Sequence, residues 1–233
     1  MNHLQIFALI TMALFSAKSA GAQNPLSQNT QVEVGVGFIS PNFRKGVELM
    51  RSYELRKSGL SYFADKNGSR AAVGKYSSSK GYNLTIGFYK PVKQVKGLML
   101  GALVRNAQTG ATPETGDYAE AYFFNFITAG IAAKYYPFER NNLFVKVDFG
   151  LAAVLTKNRY LNESAQQNFF HQFGIGNAFG FELGYALRPF KPKNKAIELK
   201  AGYQLANTRV EVNGIGDDQW QFGALYLGTS FNF

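Results

Sequence analysis

His171, in the stretch FFHQFGIGNA, is the one imidazole of this 233-residue chain outside its first few residues. A histidine works as a general base only with a nucleophile held within hydrogen-bond reach. Two positions on stands Phe173, and Asn177 lies further along. Glu163 and the serines of the neighbouring polar stretch are the other candidate partners, and a trio built from them is the open enzymatic alternative. A lone histidine at the end of a loop, without a hydroxyl at fixed spacing, is not by itself a catalytic pattern. There is no cysteine, which removes thiolate chemistry and disulfides together. The reading is that there are no catalytic residues, no metal ligands and no cofactor.

The second set of reactive groups is charged. Glu33, Asp148, Glu182 and Glu198, with Arg105, Lys134, Lys146, Arg188 and Lys200, interrupt apolar runs at every second position. Alternation of this kind belongs to strands with one apolar and one polar or small face. The pattern predicts eight of them: Gln31 to Ser40, Tyr82 to Lys90, Leu98 to Arg105, a fourth within Ala119 to Tyr136, Leu143 to Leu155, about Gln172 to Arg188, Ile197 to Leu205, and Trp220 to Phe233. In the last, Phe233, Phe231, Thr229, Leu227 and Leu225 share a face, and the chain stops on an aromatic residue. The 24 glycines, 21 phenylalanines and 13 tyrosines fit an all-β chain.

Residues 1–22 read as a signal peptide. Ile6 to Ala17 is apolar and Ala20-Gly21-Ala22 is a small-x-small cleavage site. The mature chain then begins near Gln23, and residues 23–30 form a polar periplasmic lead. No later stretch is long enough for a spanning helix. A membrane location therefore requires strands that close on themselves, since lipid cannot satisfy an open sheet edge. Short turns at Pro91, Pro137 and Pro189 alternate with longer connections, the asymmetry of a transmembrane barrel. The predicted fold is a closed eight-stranded antiparallel up-and-down transmembrane β-barrel over 23–233, with a long first extracellular loop at 41–80. The alternative is ten strands, if a hairpin turning at Asn67-Gly68 enters the wall.

Two features place the apolar face outward. The polar face carries most strand glycines, which suits a crowded interior. Aromatics also gather at strand ends, with Tyr82, Tyr203 and Trp220 at the outer end and Phe88, Tyr135, Phe231 and Phe233 at the inner end. The charges that interrupt the apolar runs then line a narrow lumen and must pair with one another. Glu33, Arg105, Lys146, Asp148, Glu182, Arg188, Glu198 and Lys200 form an expected interior network, read as a structural plug; a narrow ion path is the alternative. Loop 41–80 carries Arg44, Lys45, Arg51, Arg56, Lys57, Lys66, Arg70, Lys75 and Lys80 against three acids. Such a basic loop suits lipopolysaccharide phosphates or an acidic partner, as well as a merely solvated surface. At this location the basic balance of the chain does not point to nucleic acid.

On its alternation, its loop asymmetry, the YYPF turn at Tyr135 to Phe138 and its terminal Phe233, the chain resembles the small eight-stranded outer-membrane barrels of the OmpA/OmpX-like type, and among them those of the Bacteroidetes. The resemblance implies a Gram-negative outer-membrane address. It also implies recognition of the last strand by the outer-membrane assembly machinery, a role carried here to Leu227, Thr229, Phe231 and Phe233. Members with lipid A deacylase activity carry a His-x-Ser-Asn motif; Phe173 fills the serine position, so the nucleophile is missing. With that nucleophile missing, the reading is a non-enzymatic structural or interaction protein acting through surface loops or, as the Bacteroidetes resemblance implies, as an accessory subunit of an outer-membrane secretion or assembly complex. Outer-membrane lipid and lipopolysaccharide are implied partners. A narrow pore is the transport alternative.

Overall fold

The computed structural model describes residues 25–42, 80–111, 114–115, 118–138, 141–161, 169–189, 195–212 and 216–233. The signal peptide, the Asn67-Gly68 turn and all of the basic loop except Pro41, Asn42 and Lys80 lie outside these residues. Eight strands make the wall: β1 Gln31–Asn42, β2 Gly81–Pro91, β3 Leu98–Ala111, β4 Tyr118–Tyr135, β5 Leu143–Leu161, β6 Phe169–Leu187, β7 Ala196–Val212 and β8 Gly216–Asn232. A two-residue strand, Glu114–Thr115, folds back on the start of β4. Every neighbour is antiparallel and next in sequence, and β8 returns to β1 to close the ring. Val32 and Phe233 exchange both backbone hydrogen bonds at that seam, at 2.9 and 3.1 Å. Because β1 pairs directly with β2, no hairpin stands between them and the ten-strand alternative falls. Among the described residues no helix is long and apolar enough to cross a membrane.

The short connections sit where proline and glycine predict them. Gly97 ends the first with φ at +82°, a conformation that favours glycine, and its carbonyl accepts from Tyr136 N–H at 2.9 Å. The other end of the barrel differs from expectation. β3, β5 and β7 continue to Ala111, Leu161 and Val212, and β8 begins at Gly216, well inside stretches read as loops.

The register fixes the tilt. Paired residues followed round the wall from Asn42 through Gly223, Leu205, Phe179, Phe149, Ile131, Ala102 and Phe88 return to Val32, ten residues back along β1. A shear of that size over eight strands tilts them by about 40°, so each residue adds about 2.5 Å of height. On this scale the exposed outward side chains, Val36, Ile86, Val104, Ile131, Phe149, Leu183, Leu199 and Leu227 among them, form a belt about 25 Å tall, the height of a hydrocarbon core. Tyr82 and Tyr203 lie near its upper edge, Phe88, Phe231 and Phe233 near its lower edge. Above it runs a collar of outward polar side chains within a band about 10 Å tall: Ser40, Gln108, Asn125, Asn177, Asn207 and Gln221. Asn177 pairs across to Asn207, Asn207 to Gln221, and Gln108 to Asn125. Tyr82 joins them by donating to Gln108.

Candidate functional site

Inward positions fill the lumen in three layers. The lowest is apolar and includes Tyr89, Met99, Tyr136, Phe144, Ala186 and Ala196. It also holds Leu26 from a 3-10 turn, Pro25–Gln28, with Leu26 and Ser27 both buried. Residues 25–28, expected as a polar lead, thus close the short-turn mouth. Gln31 holds them there by donating from Nε2 to the Leu26 carbonyl at 2.5 Å.

The middle layer is ionic. Glu33, Arg105, Lys134, Lys146, Asp148, Glu182, Glu198 and Lys200 are all buried. Lys146 Nζ lies 3.1 Å from Glu33 and 2.7 Å from Glu182. Lys200 pairs with Glu33 and stands 3.8 Å from Glu182. Arg105 pairs with Glu182 and lies 3.3 Å from Asp148. Lys134 pairs with Glu198, whose carboxylate also accepts from Tyr136 and Ser230, each at 3.1 Å. Lys134 further packs over the Phe144 ring, 4.6 Å from its centroid. Four carboxylates meet four cations, so the layer is neutral. Each charge has an opposite charge beside it, and Arg105, Lys134, Lys146 and Glu198 also have an aromatic ring or hydroxyl, which offsets part of the cost of removing them from water. Arg188, expected with this group, stands one residue past β6, half-buried at the turn. It belongs to the rim because β6 ends at Leu187.

The glycines opposite these groups leave the room they need. A Cβ at Gly87 would meet the Tyr89 ring at 2.8 Å, and one at Gly180 would meet the Asp148 carboxylate.

The upper layer is again apolar: Ile39, Phe124, Phe126, Val154, Val210, Trp220 and Phe222 are buried together. Phe126 and Phe222 stack with ring centroids 3.9 Å apart. Trp220, placed by sequence in the outer aromatic girdle, is 1% exposed and points into this layer. The amphipathic pattern therefore inverts at the collar. Below it the wall is apolar outside and polar inside; above it the inside is aromatic and the outside of β7 and β8 carries Arg209, Gln219 and an Arg209–Asp217 ion pair. The aromatic run FFNF at 123–126 is where that inversion is legible: Phe123 points out while Phe124 and Phe126 point in.

His171 lies opposite Lys157 in the β5–β6 register. Among the described residues no group of histidine, aspartate or glutamate is placed to hold a metal. Leu227, Thr229, Phe231 and Phe233 share the outward face of β8 and its end, as the alternation predicts.

Among solved structures, Ail, the attachment invasion locus protein of Yersinia pestis, matches with a TM-score of 0.50 at 14% identity, over 88% of this chain and 100% of that one. The chain has the fold of the small eight-stranded outer-membrane β-barrels. Neisserial surface protein A is a further match, with a TM-score of 0.38 at 13% identity over 87% of this chain and 95% of that one. No family model and no curated protein sequence matches the barrel.

Proposed function

We propose that this protein is a closed, non-enzymatic barrel of the outer membrane that works as a structural or interaction protein, through its loops and outer wall rather than through its lumen. The observation that supports this is the three-layer filling: stacked rings above, a neutral ion-paired layer between, and Leu26 with its aromatic neighbours below. A lumen with buried side chains packed at three heights, its charges paired with each other, favours a closed interior over a solute path. Its contacts with other molecules are then made from outside. The basic loop suits lipopolysaccharide phosphates, the outward face of β8 with Phe233 suits the assembly machinery during insertion, and the wall suits other subunits of an outer-membrane complex.

Planar bilayers test the reading. The purified barrel is expected to give no discrete current steps across the physiological voltage range. Reproducible unitary steps would replace this reading with that of a narrow pore.

A further inference from the structure

Above the collar the outer surface of a barrel faces water and headgroup sugars, and its side chains should be polar. β7 and β8 obey this. On β4, β5 and β6 the first outward positions above it do not, although the register continues to Lys157 and His171. Phe123, Leu155, Phe173 and Ile175 project outward there, each between 41% and 54% exposed. By the register Leu155 lies directly across from Phe173, and Ala153 from Ile175. The four large side chains fall within a band about 5 Å tall, at and above the upper edge of the collar. Inside the same strands Phe124, Val154 and their neighbours are buried. This part of the wall is therefore apolar on its outer face, with Phe124 and Val154 beside Thr156 and Gln172 on the inner one, and water does not favour a contiguous exposed apolar area.

The collar bears on what could cover the patch. Its polar side chains come from β1, β3, β4, β6, β7 and β8, with Tyr82 on β2. On β5 the position at that height is Ala153. The apolar column Leu151, Ala153, Leu155 thus runs unbroken from the hydrocarbon belt through the headgroup level and out above it, flanked by Asn125 on β4 and Asn177 on β6. A soluble ligand would cover the patch but not need the column. Lipid tails would cover the column but not reach the patch. A surface that spans both, with a small residue at the narrowest point and an amide on each side, matches a partner that is itself embedded in the bilayer and rises above it.

We infer that the β4–β6 face, centred on Leu155 and Phe173, is the docking surface for a second, different integral membrane protein with an apolar flank and hydrogen-bonding groups at headgroup level. The inference deepens the interaction reading above. Its test uses a different readout from conductance, so the two fail separately.

The test is photo-crosslinking of the full chain in its native outer membranes. Photoreactive residues are placed at Leu155 and at Phe173, with Gln219, at similar height on β8, as the control. The expected result is an adduct of one discrete mass at both test positions and background at Gln219, with the captured protein resisting alkaline extraction from the membrane. The double variant F173S/I175S, checked for the heat-dependent electrophoretic shift of a folded barrel, is expected to weaken that complex on the order of a hundredfold, read from native size in mild detergent. Absence of an adduct, an adduct with a second copy of this chain, or capture only of an alkaline-extractable protein each overturns the inference. So does a folded double variant whose complex is unchanged.

Discussion

Glu182 is the residue on which the ionic layer turns. Arg105 and Lys146 both pair with it, and Lys200 stands nearby. Removing one partner from a buried ion pair leaves the others desolvated and uncompensated, which costs about 3–5 kcal/mol. Glu182→Gln is expected to lower the unfolding free energy of the folded barrel by that amount, read from urea titration in detergent or vesicles. Arg188→Gln, at the half-buried rim, should stay within about 0.5 kcal/mol of the parent. Equal losses in the two variants would mean that the layer is not a network but a set of independent, solvated charges. Sequence placed nine charges in the lumen and eight of them lie there, because a charge at the parity of strand glycines has nowhere else to go in a barrel. It misplaced Arg188 because alternation does not say where a strand stops, and Leu187 is the last residue of β6.

Elements were legible in proportion to how far they lie within the membrane. Along the belt, lipid forces one face apolar and the narrow lumen forces the other small or polar, so period two is clean and the lower strand ends agree to within a residue or two. Above the collar neither constraint holds. The lumen there is sealed by Phe124, Phe126, Trp220 and Phe222, and the outward positions of β7 and β8 turn polar, so the same strands read as loops with stray aromatics. The 3-10 turn at Pro25–Gln28 was missed for another reason: one leucine among polar neighbours carries no periodicity, and only the mouth of the finished barrel gives it a site. The inverted upper layer makes a distinct prediction. Phe222→Ala removes a ring stacked on Phe126 in a packed interior and should cost about 3–5 kcal/mol. Leu227→Ala, on the outward face of the same strand, exchanges a side chain for lipid tail and should cost clearly less, since lipid is as apolar as leucine. The comparison is read from paired urea titrations; a larger loss at Leu227 would place the packing core of β8 outside the barrel rather than within it.

At the scale of the whole molecule the proposed closed barrel has three layers acting in series, each expected to block ions by a different means. The upper layer packs rings in the lumen, Phe126 on Phe222 at 3.9 Å, with no room for water between that pair. The middle layer holds its charges in mutual pairs, so a passing ion would have to displace a bound one from a buried site. Leu26, seated among Tyr89, Met99 and Phe144, closes the short-turn mouth with a surface that solvates no ion. Barriers in series transmit only when all are breached. Breaching one should therefore leave the barrel silent, even where it lowers stability. Deleting residues 25–28 opens the mouth alone, and F126A/F222A thins the upper layer alone; each folded variant is expected to show no current steps in planar bilayers. The combination, with Glu33→Ala and Lys146→Ala added to loosen the ionic layer, is the smallest change expected to give steps. Conduction by the mouth deletion alone would show that the ring layer and the ionic layer admit ions, and that the 3-10 turn, rather than the filled lumen, is what keeps this barrel shut.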